Sequence, residues 1–339
     1  MKAFVKYGAG PYESAIQKVR KPKPHTGEVL IRVAGCGICG SDLHAYQADA
    51  GYEWVRPPVI LGHEFTGVIE SAGPGVERFR PGDRVAVIGI QGCLECSSCR
   101  DGRTNLCTTR KVIGLDLNGG MADYAVVNEA FLVRIPGALD IVLAAMTEPL
   151  SVAVHAMEKA GIRPGDRVAV TGAGPIGIMC AMLARMAGAG VVLAGTDADE
   201  HARFPVAREL GLATINVESE RLATVFSKVP RDIWVEASGS MEALKASIEM
   251  MPRGGRIVVV AMYSGDMSWL PTVSVRAEHT YHFSYASSFR DYRYALDLLA
   301  SGRMRLEPLA ARFPLDSAAE AFEAAGKGLV VKPVLVPGE

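Results

Sequence analysis

The segment Arg167-Val168-Ala169-Val170-Thr171-Gly172-Ala173-Gly174-Pro175-Ile176-Gly177 carries the most specific structural signal in the chain. Its first five residues read as a strand, its last six spell Gly-x-Gly-x-x-Gly, and the apolar run from Pro175 to Ala187 reads as a helix. Such a glycine pattern says little alone. Here a strand precedes it, a helix follows it, and Asp197 stands twenty residues beyond Gly177, at the end of the next strand-like run, Val191 to Ala194. A dinucleotide-binding fingerprint requires that context: glycines let the backbone approach a pyrophosphate, and the helix N-terminus offers amides and positive potential. Gly172, Gly174, Pro175, Ile176 and Gly177 are the candidate pyrophosphate-binding residues. Asp197 is placed to accept hydrogen bonds from the adenosine ribose, and its charge repels a 2′-phosphate. No base follows until Arg203, so NAD(H) is expected over NADP(H), with Asp197 and Arg203 at the ribose end.

Working outward, strand-like and helical runs keep alternating: Ala202 to Leu210, Ile233 to Glu236, Met241 to Met250, Arg256 to Val260. This alternation predicts βαβ units and a doubly wound parallel sheet. Before Glu148 the texture differs. Short β-rich runs such as 29–33, 67–70 and 84–88 are separated by Gly and Pro, which predicts a mostly β domain with functional loops. The segment from about His282 carries a helix (Phe289 to Ala300) and a strand (Val330 to Val336); pattern alone allows it to extend the α/β domain or to rejoin the first. A chain of 339 residues is long for one core, so two domains are expected. Thirty-six basic against 37 acidic residues, with no like-charge block, give no electrostatic case for nucleic acid or an anionic membrane. The absence of a signal-peptide core or a long apolar run points to the cytoplasm.

Four of the seven cysteines fall close together, as Cys93-x2-Cys96-x2-Cys99-x7-Cys107. Clustering and an odd total argue against a disulfide framework. Four thiolates on a short loop suit a closed tetrahedral zinc, which leaves no room for substrate and is read as structural. Reduced loop cysteines or an iron–sulfur centre are the alternatives. A second set is dispersed: Cys39 in Gly37-Ile38-Cys39-Gly40-Ser41-Asp42-Leu43-His44, His63 and Glu64 after an apolar strand, and Glu148 in Thr147-Glu148-Pro149-Leu150-Ser151. One thiolate, one imidazole and one carboxylate suit a catalytic zinc with an open position. Zinc with Cys39, His63 and Glu64 sums to zero charge, and Glu148 makes the site negative, so Glu148 is read as an exchangeable ligand or a group beside the metal. Cys36 and Cys180 are read as core residues.

Taken in order, these residues closely resemble the zinc-containing medium-chain dehydrogenases, in particular the sorbitol (polyol) and threonine dehydrogenase branch. The resemblance spans nearly the whole chain: Gly37 to His44, Gly62-His63-Glu64-Phe65-Thr66-Gly67, the four-cysteine loop, Glu148-Pro149-Leu150-Ser151 and Gly172 to Gly177. It implies an α/β protein with a GroES-like, mostly β catalytic domain from both chain ends (1–146 and 282–339) and a Rossmann NAD-binding domain (147–281). It implies two zinc ions per chain, a homodimer or homotetramer, and an active site in the cleft between domains. By matching position, Cys39, His63 and Glu64 hold the catalytic zinc with Glu148 beside it, and Ser41 and His44 form a proton relay. The implied reaction is reversible hydride transfer from a secondary alcohol of a polyol or sugar-like substrate to NAD, zinc supplying Lewis acidity. A threonine-type or sugar-phosphate dehydrogenase uses the same machinery, and a catalytically silent binding protein is the alternative of another class.

Two features depart from the family pattern. No cysteine stands near Glu148, which favours the polyol and threonine branch over ethanol-type enzymes. The segment Gly195-Thr196-Asp197-Ala198-Asp199 is one residue longer than usual, counting back from Gly211, so Thr196 or Asp199 can share the ribose contact. Tyr46, Trp54 and Phe283, with Arg110 and Tyr285, are candidate substrate-pocket residues.

Overall fold

Residues 1–338 are described by a computed structural model, in which Arg167–Thr171 is a central strand of a six-stranded, all-parallel sheet. Gly190–Gly195 and Ala213–Asn216 follow on one side; Ile233–Glu236, Arg256–Val259 and Thr280–Phe283 follow on the other. Numbered along the chain, the strands run 3-2-1-4-5-6, which puts a topological switch point beside Arg167–Thr171. The sequence chooses this arrangement through near-continuous apolar runs, as expected of strands covered on both faces. Val168, Ala169 and Val170 are fully buried, as are Ile233 and Val235. The one polar atom of Trp234 that burial would orphan is satisfied: its indole N–H donates to Thr171 Oγ1 at 3.1 Å. Helix Pro175–Met186 starts on a proline at its first turn, where no backbone donor is needed, and buries Ile178 to Ala184.

The chain divides into two compact units, Val152–Ala286 and Met1–Ser151 with the segment from Ser287 onward. The resemblance implies a second crossing near 282. Thr280–Phe283 pairs with Arg256–Val259 as the last strand of the parallel sheet, so the chain leaves that unit only after Ala286.

In the other unit, Glu28–Gly37 is the hub of a mostly antiparallel seven-stranded sheet. Glu64–Ala72 flanks it on one side and Lys332–Val336 on the other, with Tyr124–Asn128 also pairing along it. The C-terminal strand therefore completes the sheet that the N-terminal segment begins. Register sets where the strand ends meet. Gly37 faces Glu64 across one ladder and Val334 across the other, so the ends of three strands converge just before Cys39. Among the described residues, no helix is long and apolar enough to cross a membrane.

Candidate active site

Each member of the dispersed cluster sits at the end of an element. Cys39 caps the helix Gly40–Gln47, directly after the strand Glu28–Gly37. His63 immediately precedes the strand that Glu64 opens. The Cys39 thiol, a His63 ring nitrogen and a Glu64 carboxylate oxygen all lie within 4.8 Å of one another. His63 and Glu64 are buried. A side chain at position 37 would fill the space that Glu64 uses: a β-carbon there would meet Lys332 Cε at 3.2 Å and Glu64 Cβ at 3.3 Å.

Asp42, to which the sequence motif assigns no role, organises the cluster. Fully buried, its carboxylate accepts the Cys39 backbone N–H at 2.9 Å and the Gly62 N–H at 3.2 Å. It also stands 3.6 Å from His63 Nδ1, an atom with no hydrogen-bond partner, while His63 Nε2 lies 3.5 Å from Ser41 Oγ. The acid thus serves helix, loop and imidazole together. Burial works against an imidazolium at His63, yet the Asp42 carboxylate and the Cys39 thiolate push its pKa well above the usual histidine range. The available signal was the capping-box spacing from Cys39 to Asp42.

A second residue missed in the sequence is Lys332, from the first position of the C-terminal strand. Its ammonium is buried, donates to Glu64 Oε1 at 2.6 Å and to the Ile38 carbonyl at 2.8 Å, and also faces Glu64 Oε2. Burial lowers the lysine's affinity for its proton; Glu64 and Cys39 more than restore it. Glu148 lies in the first turn of helix Thr147–Ala160 and is not among the three groups whose donor atoms converge. Burial first, then the Glu64 carboxylate, raises its pKa to about 7, against the pull of His63 and Lys332. Tyr292 closes the wall: its buried hydroxyl accepts the Gly89 N–H at 3.0 Å, and burial and then the Glu148 charge raise its pKa well above the usual phenol range.

Ser41 and His44 share the helix Gly40–Gln47. His44 is exposed; its Nδ1 lies 2.7 Å from Asp49 Oδ2, and its ring stacks on Tyr52 at 5.1 Å between centroids. Of the candidate pocket residues, Tyr46 packs among Phe322, Tyr12 and Phe4. Trp54 and Phe283 are exposed, and Tyr285 is half-buried. Arg110 donates to the Cys107 carbonyl at 3.2 Å and so belongs to the cysteine loop.

In that loop the four thiols of Cys93, Cys96, Cys99 and Cys107 converge within 4.8 Å. Backbone amides point at sulfur: the Cys93 N–H at Cys107 Sγ and the Cys96 N–H at Cys93 Sγ, each at 3.4 Å. Cys107 is drawn down to about 6 by the Thr109 hydroxyl and the Cys93 amide, whereas burial pushes Cys99 up to about 12. Four convergent sulfurs, two of them facing backbone amides, suit the shared binding of a cation that prefers thiolate.

The glycine loop lies between Arg167–Thr171 and helix Pro175–Met186. Gly177 packs on the Gly172 carbonyl so closely that a β-carbon would collide with it. Asp197 is exposed at the start of a short helical turn, one carboxylate oxygen accepting the Asn216 amide at 2.7 Å. Asp199 is buried and turned inward, accepting the Thr196 N–H and the Arg203 guanidinium, each at 2.9 Å.

Residues 25–137 match the family described as the alcohol dehydrogenase GroES-like domain, and residues 175–301 the zinc-binding dehydrogenase family. The chain is 33% identical to a D-arabitol-phosphate dehydrogenase of Enterococcus avium, over 99% of this chain and 97% of that one. It is 32% identical to a sorbitol dehydrogenase of Halalkalibacterium halodurans, over 99% of both. A zinc-binding dehydrogenase structure from Sinorhizobium meliloti, solved with NADP bound, superposes with a TM-score of 0.90 at 31% identity and 99% coverage of both chains. The chain belongs to the zinc-containing medium-chain dehydrogenases, an oxidoreductase family, in the branch of the sorbitol and threonine dehydrogenases.

Proposed function

We propose that the protein oxidises a secondary alcohol of a polyol or sugar-like substrate by reversible hydride transfer to NAD. The observation carrying this reading is the convergence of Cys39, His63 and Glu64 within 4.8 Å, in a chain that also holds the dinucleotide loop Gly172–Gly177. Thiol, imidazole and carboxylate fit zinc, and the buried His63 Nδ1, turned to Asp42, leaves Nε2 for the metal. Zinc bound there supplies Lewis acidity toward the substrate oxygen. The remaining work falls to the chain. Cys39, His63 and Glu64 hold the ion, and Asp42 orients His63. Lys332 carries a charge that changes the balance at the site: divalent zinc, the Cys39 thiolate, the Glu64 and Asp42 carboxylates and the Lys332 ammonium sum to zero. An ionised Glu148 makes the site negative, which supports Glu148 as an exchangeable group beside the metal rather than a permanent ligand.

Ser41 takes the alcohol proton and His44 hands it to solvent, a role supported by Ser41 Oγ lying 3.5 Å from His63 Nε2 and by the 2.7 Å contact that orients His44 on Asp49. The four-cysteine loop holds a second, structural zinc. NAD is favoured over NADP because Asp197 offers an anion at the ribose end while Arg203 is engaged elsewhere. A homodimer is favoured by the outer edge of strand Thr280–Phe283, which lacks a neighbour among the described strands, and by the exposed Phe283, Leu270 and Val275. The test is NADH formation on a panel of polyols, sugar phosphates and threonine, with wild type and Cys39→Ser. Zinc-dependent turnover of a polyol, lost in the variant, supports the reading; turnover of none of the panel, or of threonine alone, refutes it.

A further inference from the structure

Around the strand end Gly195 the structure gathers four carboxylates, Asp197, Asp199, Glu200 and Glu218, and two arginines, Arg203 and Arg208. Both arginines are paired with a carboxylate. Arg208 donates to Glu200 at 3.2 Å and to the Thr214 hydroxyl at 2.9 Å. Arg203, one helical turn beyond Asp199, places Nη1 on Asp199 Oδ1 at 2.9 Å, and its side chain is only 28% exposed. The other Asp199 oxygen is held by the Thr196 N–H at 2.9 Å and the Thr196 hydroxyl at 3.4 Å. The aspartate is therefore fixed by the backbone and in turn fixes the arginine. Asn216 does the same for Asp197, donating to one of its oxygens at 2.7 Å, and Glu218 lies against the same carboxylate.

We infer that Asp199, which is turned away from the ribose position, governs cofactor choice by latching Arg203. While the latch is closed, the Arg203 guanidinium is held on Asp199, and a 2′-phosphate faces the Asp197 carboxylate without a bidentate partner. Opened, it releases a guanidinium able to form charge-assisted, bidentate bonds to a phosphate. This rests on the reading that Gly172–Gly177 and Asp197 hold the dinucleotide and favour NAD.

The variant Asp199→Asn separates the two jobs of the aspartate. Its amide oxygen can still accept the Thr196 N–H, preserving the turn, but its amide nitrogen cannot accept from a guanidinium. Dissociation constants for NADH and NADPH, read from the fluorescence of the reduced nicotinamide without substrate, give the result independently of turnover. The expected outcome is a fall of about tenfold or more in the NADPH constant, with the NADH constant changed less than about threefold. In Asp199→Asn/Arg203→Gln the gain disappears. An unchanged ratio in a folded Asp199→Asn protein, or a gain that survives loss of Arg203, overturns the inference. Should Asp199→Asn fail to fold, Arg203→Gln alone decides. A latched arginine predicts equal, small effects on both cofactors; selective loss of NADPH affinity shows that Arg203 already serves the phosphate and overturns the latch. A wild type that binds NADPH as tightly as NADH defeats the underlying cofactor reading, and the latch with it.

Discussion

Replacing Lys332 by Met leaves the Glu64 carboxylate buried without its cation, and the structure indicates how much that costs. Both carboxylate oxygens face the ammonium, and Lys332 and Glu64 are almost wholly inaccessible to solvent. Removing one partner of such a pair destabilises by about 3–5 kcal/mol, because the remaining charge cannot regain water. The Ile38 carbonyl also loses its donor, a smaller penalty of about 1 kcal/mol. Zinc changes the balance. An ion held by Cys39, His63 and Glu64 replaces the lost cation, so the penalty in zinc-loaded protein should shrink to about 1–2 kcal/mol, chiefly the Ile38 and packing losses. Linkage then requires Lys332→Met to bind zinc more tightly than wild type, by about a hundredfold for a difference near 3 kcal/mol. Urea unfolding of chelated and zinc-reconstituted protein, with competition against a chromophoric chelator, measures both sides. Equal destabilisation with and without zinc, or weaker zinc binding in the variant, would refute the view that Lys332 and the metal compensate the same carboxylate.

Three further outcomes are expected from the same geometry. Glu148 titrates near 7 in the metal-free fold against an ordinary value near 4.5, so the stability linked to its neutral form is fully present below pH 4.5 and lost as pH rises through 7. Metal-free wild type should lose about 3 kcal/mol relative to Glu148→Gln between pH 4.5 and 8, measured as the difference of paired urea melts; parallel profiles contradict this. His44→Ala should slow turnover by about tenfold at acidic to neutral pH, with partial rescue by added base, and Asp49→Asn should move the pH–rate profile the same way to a smaller extent. A pH-independent loss would point to metal-site damage instead. Cys107→Ser should retain one zinc per chain and melt at a lower temperature, as read by metal analysis and calorimetry; loss of both ions would contradict separate sites.

What could be read in the sequence depended on how far apart the cooperating residues lie. The parallel sheet was legible because Val-Ala-Val and Ile-Trp-Val runs, glycine spacing and Asp197 report local geometry. The four-cysteine cluster was legible for the same reason: its members fall within fifteen residues. Cys39, His63 and Glu64 were found through short motifs, yet their convergence comes from the register of strand ends, which no single segment encodes. Lys332 escaped notice because its partner lies 268 residues earlier, although a lone lysine in the apolar run Val331 to Val336 was a usable sign. Asp42 stands inside a legible motif without a legible role, since only the fold puts it between the Cys39 amide and the His63 ring. Asp199 reads in the sequence as a candidate ribose contact; its inward turn onto Thr196 and Arg203 is visible only in the fold.

On the proposed function, the Cys39, His63 and Glu64 cluster holds a zinc required for alcohol oxidation, separate from the cysteine loop. Metal content and NADH formation from a polyol, measured together on wild type and Cys39→Ser, test it most directly. Two zinc ions per chain in wild type, one in the variant and no turnover in the variant is the predicted result. A Cys39→Ser protein that keeps two zinc ions, or that turns over at the wild-type rate with one, would contradict it.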